Sequence, residues 1–164
     1  MYERILVPLD GSKVGEGALP YIEDLVSKMS PEVKVEVTLF QVISSLSHWV
    51  AAGETSAPIP YTDKELKQIK KEAIAYLNQA GETLRSKGAI VKAKVGTGNA
   101  AEEIIKVADE INADLIAMST HGRSGISRWA FGSVTDKVLR AGIVPILTVR
   151  APQETEETQP RSKR

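Results

Sequence analysis

Cysteine is absent from this 164-residue chain, which excludes disulfides, thiolate chemistry and cysteine-based metal sites. A surplus of charge is lacking too. Lys plus Arg and Asp plus Glu number 21 each, so the chain has none of the basic footprint usual in nucleic-acid binders. No apolar run approaches the length that spans a bilayer. Met1-Tyr2-Glu3-Arg4 opens into a strand-like run without the layered composition of a signal peptide. These absences give the expectation of a cytoplasmic protein that engages neither nucleic acid nor membrane. Several familiar sites are missing as well. No Gly-x-x-x-x-Gly-Lys-Ser/Thr occurs, and Asp10-Gly11-Ser12-Lys13-Val14-Gly15-Glu16-Gly17 does not fit the dinucleotide fingerprint. Two histidines without cysteine give no zinc pattern, and no nucleophilic triad assembles by spacing. Binding without an evident catalytic group is what the residues support.

What is present has a regular order. The 42% hydrophobic content and the length suffice for one domain with a proper core. Ile5-Leu6-Val7-Pro8-Leu9 is short and apolar and ends at Asp10-Gly11-Ser12, as in a strand buried on both faces. Helical spacing follows in Val14, Ala18, Ile22, Leu25 and Met29, with Pro20 expected to kink the helix or shift its start. Val35 to Ile43 reads as the second strand. Ser44 to Tyr61, without a clear period, reads as a long loop. Thr62 and Glu65 form a capping-box pattern ahead of one long helix closed by Gly88. Val91, Ala93 and Val95 mark a half-buried third strand. Asn99 and Glu102 are candidate caps for the helix carrying Ala101, Ile104, Ile105, Ala108 and Ile111.

A fourth strand runs from Asp114 to Met118, a last helix carries Val134, Val138 and Ala141, and Val144–Val149 is the last strand. Strict alternation of strand and helix predicts an α/β fold: an open five-stranded parallel sheet with helices on both faces. Residues 1–150 form the expected domain. The polar segment 151–164 is expected to be a disordered, solvated tail.

In such a sheet ligands bind beyond the carboxyl ends of the strands, near the reversal of strand order. Asp10-Gly11-Ser12, Val42-Ile43-Ser44 and the Ser119 to Ser133 loop converge there. A strand that empties into a glycine-punctuated loop and a helix start suits a phosphate, because backbone N–H groups and the helix dipole favour negative charge. Gly122 lets backbone approach a phosphate, and Gly132-Ser133-Val134 opens the helix. Ser133 has two readings: a phosphate donor, or a plain cap paired with Asp136. Asp10 suits a ribose hydroxyl or a metal, or else bonds its own turn as Asp-Gly commonly does. His121, Arg123 and Arg128 are candidate phosphate contacts or ordinary surface groups. Trp129 and Phe131 suit pinning the loop to the body, and His48 and Trp49 suit a lid or a partner contact.

Three segments together resemble the universal stress protein family over residues 2–149. They are Ile5–Ser12, the run Ala113–Gly125 containing Ser119-Thr120-His121-Gly122, and Gly132-Ser133-Val134 leading to Val144–Val149. The resemblance implies a Rossmann-like, adenine nucleotide alpha hydrolase-like sheet of strand order 3-2-1-4-5, in homodimers meeting along Val144–Val149. It implies a dimeric stress-response regulator that binds ATP through Gly-x-x-Gly, nine residues, Gly-Ser/Thr. Gly122, Gly132 and Ser133 match this motif, while Ser119 stands at its first glycine. Pro8, Leu9 and Asp10 would line adenine and ribose, with Val42 and Met118 against the base. Ser133 and Val134 would face phosphate beside Ser119, His121 and Gly122, and Asp10 is the candidate for Mg. A nucleotide-free dimeric scaffold is the alternative. A slow ATPase ranks below it, because no general base or charge-stabilising lysine can be assigned.

Overall fold

The computed structural model describes residues 2–45, 47–52, 55–120, 132–142 and 144–150, with backbone alone for 47–52 and 55–58. His121, Gly122, Arg123, Arg128, Trp129, Phe131 and the 151–164 tail therefore lie outside the described residues, as do the side chains of His48 and Trp49.

Along the chain run β1 (Arg4–Pro8), a 3-10 turn (Gly15–Ala18), α1 (Leu19–Ser27), β2 (Glu36–Ile43), β3 (Ser47–Ala52) and β4 (Thr55–Pro60). They are followed by α2 (Asp63–Ala80), α3 (Glu82–Ser86), β5 (Ile90–Thr97), α4 (Ala100–Glu110), β6 (Leu115–Thr120), α5 (Ser133–Ala141) and β7 (Ile146–Arg150). The main sheet has five strands in the order β5-β2-β1-β6-β7. Every neighbouring pair in it is parallel. Counted by its own strands this is the expected 3-2-1-4-5. The sheet reverses between β1 and β6, which places a crevice at their carboxyl ends.

Strand alternation divides the core into two layers. Ile5, Val7, Val37, Leu39, Leu115 and Ala117 pack with Ile22, Val26, Leu77 and Leu84 of α1, α2 and α3. Leu6, Phe40, Ile116 and Met118 pack with Ile104 and Val107 of α4 and Val138 of α5. Asp114 precedes β6 instead of opening it, and accepts the backbone N–H groups of Glu3 and Arg4 at 3.1 and 2.8 Å. It thereby ties the start of β1 to the start of β6.

Three expectations need correction. Ser44 to Tyr61 contains a two-stranded antiparallel hairpin, β3 with β4, in place of a long loop. Pro58 and Pro60 conceal it, because proline within a run argues against a strand. The helix after Thr62 is interrupted at Gly81. A Cβ there would stand 2.7 Å from Val91 Cγ1 and 3.1 Å from Leu39 Cδ1, so the helix rests directly on β5 and β2. Pro20 shifts the helix start and does not kink it, one of the two outcomes expected: α1 opens at Leu19, with Pro20 in the first turn, where its missing N–H is not needed. The last strand starts at Ile146, two residues later than Val144.

Candidate functional site

At the carboxyl end of β1 the chain turns through Gly11, whose φ of +83° suits glycine. Asp10 Oδ1 accepts from Ser12 N at 2.9 Å and from Ser12 Oγ at 2.6 Å. Ser12 Oγ in turn accepts from Gly15 N at 3.0 Å. The turn-forming reading of Asp10 is therefore correct for one of its oxygens, while Oδ2 has no hydrogen-bond partner among the described residues.

Across the crevice, α5 begins with Gly132 as its N-cap, in extended conformation and with no side-chain cap. Ser133 is the first helical residue, so the capping-box reading of Ser133 with Asp136 fails. The Asp136 carboxylate is instead engaged by Arg140 Nε at 2.8 Å, and Asp136 N donates to Gly132 O at 2.9 Å. The N–H groups of Ser133, Val134 and Thr135 precede the first intrahelical bond and have no intrahelical acceptor. At α4, by contrast, Asn99 Oδ1 accepts from Ala101 N and Glu102 N. Two helices thus point their amino ends at the same edge of the sheet, and α5 has the open donors.

Between them lies a cleft of about 270 Å³. Pro8, Leu9, Asp10, Val42, Met118, Ser119, Gly132, Ser133 and Val134 all line it. Of the expected site residues, His121 and Gly122 alone fall outside the described chain. The sequence reading missed Gly15, Phe40, Ala100, Ile104, Thr120 and Thr135, which complete the lining. Phe40 and Thr120 were recoverable by alternation, since they share a sheet face with Val42 and Met118 respectively. Ala100 and Ile104 reach the cleft through the docking of α4, for which no local pattern exists.

Ser119 answers a question that the sequence raises. Met118 and Ile116 face the α4 and α5 layer, whereas Ala117 and Leu115 face α1. Ser119 follows the second set, and its Oγ is buried with no hydrogen-bond partner among the described residues. By alternation the added side chain points to the opposite face of the sheet from the side chains of Met118 and Thr120, although Ser119 borders the cleft.

The chain carries a resemblance that this geometry reinforces. Residues 1–150 match the Usp family, the universal stress protein family. The chain belongs to that family. It is similar to the universal stress protein YxiE of Bacillus subtilis, 29% identical over 92% of this chain and 100% of the relative. It is also similar to the universal stress protein MJ0577 of Methanocaldococcus jannaschii, 27% identical over 92% of this chain and 96% of that one. The solved structure of MJ0577 superposes with a TM-score of 0.69 at 26% identity, covering 93% of this chain and 99% of that one. An Arabidopsis thaliana member with AMP bound shares the fold, with a TM-score of 0.62 at 14% identity over 97% and 99% of the two chains.

Within this universal stress protein, charge is sparse among the described residues of the cleft lining. Asp10 is the one charged residue among its described lining residues. No three His, Asp or Glu side chains gather as a metal site among the described residues. No helix among them is long and apolar enough to cross a membrane.

Proposed function

We propose that this protein binds ATP in the cleft at the carboxyl edge of its parallel sheet and acts as a homodimeric stress-response regulator. The observation that carries the reading is the uncapped amino end of α5 facing an apolar slot at the reversal point of the sheet. Three backbone N–H groups without intrahelical acceptors, at the positive end of a helix, suit phosphate oxygens. Val42, Phe40, Ile104 and Met118 offer an apolar bed of the kind a base needs. The Ser133 hydroxyl is free to join the phosphate donors, with His121 and Gly122 following from the motif. The AMP-bound Arabidopsis relative supports an adenine nucleotide as the ligand class.

Magnesium that arrives with ATP would be held largely by phosphate oxygens and water, as is usual for this ion. Asp10 Oδ2 is the single carboxylate oxygen of the described lining that fits such a role. No general base is assigned, so the proposal is binding and signalling rather than turnover. The edge position of β7 in the sheet supports a homodimer that meets along Val144–Val149, since edges are commonly covered. Residues 1–150 would form the functional domain and 151–164 a solvated tail.

Isothermal titration of the purified protein with ATP and magnesium, after removal of co-purified nucleotide, tests the reading. Micromolar affinity is expected. No heat at millimolar ATP would replace it with a nucleotide-free scaffold. Light scattering tests the dimer, and a mass near the 17.8 kDa monomer at micromolar protein would overturn it.

A further inference from the structure

We infer that the outer edge of β3 is a docking edge for a second copy of this chain, which pairs with it antiparallel about a two-fold axis at Trp49. β3 and β4 form a two-stranded sheet of their own, separate from the five-stranded one. Two strands alone are marginal in water and need a further strand or a packed face. The two edges of this hairpin are not equivalent. Trp49 pairs with Pro58, and Ser47 with Pro60. Proline has no N–H, so a ladder tolerates it only where its nitrogen faces away from the partner strand. Pro58 and Pro60 thus turn their nitrogens to the outer edge of β4 and blunt it. Backbone direction alternates along an antiparallel pair. His48, Val50 and Ala52 therefore direct their backbone groups to β4, opposite Ile59, Ala57 and Thr55. The N–H and C=O groups of Ser47, Trp49 and Ala51 point the other way, to an edge with no strand beside it among the described residues.

Such an edge takes a strand, and its own copy fits it in three respects. The outward positions are symmetric about Trp49. Antiparallel pairing sets Trp49 opposite the partner's Trp49 and Ser47 opposite the partner's Ala51, each pair exchanging two backbone bonds. A strand that meets its own copy also sets like charge near like charge wherever it carries any. β3 and β4 contain no Lys, Arg, Asp or Glu, although these make up 26% of the chain, so nothing in them opposes self-pairing. Edges that stay single are protected by charge, by proline or by a bulge. β4 has its prolines, whereas β3 has neither proline nor a Lys, Arg, Asp or Glu. Across two copies the joined sheet would run β4-β3-β3-β4. The hairpin departs from β2, and β1 and β6 stand between β2 and β7. The contact thus uses a different part of the chain from the β7 edge and does not depend on a homodimer there.

Because the chain has no cysteine, a single introduced thiol reports only on its own position. Trp49→Cys in the full chain, oxidised with copper phenanthroline, is expected to give a covalent dimer. Opposed residues of such a pair lie about 5.5 Å apart, within disulfide reach. Ser47→Cys and Ala51→Cys, refolded together from urea so that copies exchange, are expected to cross-link as a mixture and keep Trp49 in place. Either alone should stay unlinked, since roughly 13 Å of strand then separates the thiols. Ser56→Cys on β4 is the control: three strand spacings, about 14 Å, part its two copies, and no dimer is expected. Ser47→Pro with Ala51→Pro removes outward donors and leaves the ladder to β4 intact. This pair is expected to abolish the Trp49→Cys cross-link and to lower the solution mass by light scattering roughly twofold. Cross-linking of Ser56→Cys as fast as of Trp49→Cys would mean random collision and overturn the contact. Absence of a link both in Trp49→Cys and in the Ser47→Cys and Ala51→Cys mixture would overturn it as well. A Trp49→Cys link that survives both prolines would overturn pairing through the backbone edge.

Discussion

Tyr76 donates its phenolic hydrogen to Glu16 Oε1 at 3.2 Å, which joins the carboxyl-terminal part of α2 to the 3-10 turn behind the cleft. Glu16 also receives Lys13 Nζ on its other oxygen at 2.9 Å, and that lysine is almost wholly exposed. Partial burial, with the negative charge of Glu16 next in weight, holds the Tyr76 hydroxyl well above the ordinary tyrosine range. A raised value in the folded state means stability that is fully present below the unfolded value and lost as pH rises past it.

Tyr76→Phe is therefore expected to cost about 1 kcal/mol near neutrality, with the Glu16 carboxylate still paired to Lys13. The gap between parent and variant should close as pH rises above about 10, the ordinary tyrosine value. Urea unfolding at pH 8 and pH 10.5 checks the sign. A gap that widens with pH would contradict the assignment.

Gly81→Ala tests whether the interruption between α2 and α3 is imposed by the sheet. The new Cβ would meet Val91 Cγ1 at 2.7 Å and Leu39 Cδ1 at 3.1 Å, and Leu39 is fully buried. The φ of −86° is open to alanine, so any cost comes from crowding and not from backbone strain. A loss of about 1–3 kcal/mol is expected from overpacking, although alanine is the better helix former. Equal or greater stability in urea would show that the helix stands off the sheet.

These two contacts also mark how far the sequence could be read. The apolar strands, the cap at Thr62 and the turn after β1 were legible because each is decided within a few residues. Thr62 accepts from Glu65 N and its own N–H donates to Glu65 Oε2, the reciprocal pattern its spacing announces. Gly81 was not legible, since its reason is a β-branched side chain ten residues away on another element. Of the two readings of Ser133 the cap failed for a related reason: serine and glycine are both accepted N-caps, and backbone conformation puts Gly132 there. The hairpin β3–β4 was hidden by its prolines. Ser119 was set beside the phosphates by its motif position, although alternation from Met118 assigns its side chain to the other face.

Asp114 offers a test at acid pH. The N–H groups of Arg4 and Glu3, together with the Arg4 guanidinium, outweigh its modest burial and hold the carboxyl below its usual range. The Arg4 N–H is the largest of these effects. A depressed value means stabilisation that is present above about pH 4 and lost as pH falls through the folded-state value. Asp114→Asn should thus be less stable than the parent at pH 7, with the difference shrinking by pH 3. Denaturant midpoints at the two pH values check it. A pH-independent difference would mean that the side chain acts through shape and not through charge.

Ser133→Ala and Thr62→Ala separate binding from capping at two helix starts. Thr62 caps α2 far in sequence from the cleft, so its loss is expected to cost about 1 kcal/mol of stability and to leave ATP affinity at the parent value. Ser133 is a first-turn residue without a capping bond, exposed at the mouth of the cleft. Its replacement should change stability by less than about 0.5 kcal/mol. ATP affinity should fall roughly threefold to tenfold, the worth of one hydroxyl hydrogen bond to phosphate. Thermal melting paired with titration reads both quantities on the same samples. If Ser133→Ala lost stability as Thr62→Ala does, the hydroxyl would be a cap after all; if neither stability nor affinity moved, phosphate would be held by the backbone of α5 alone.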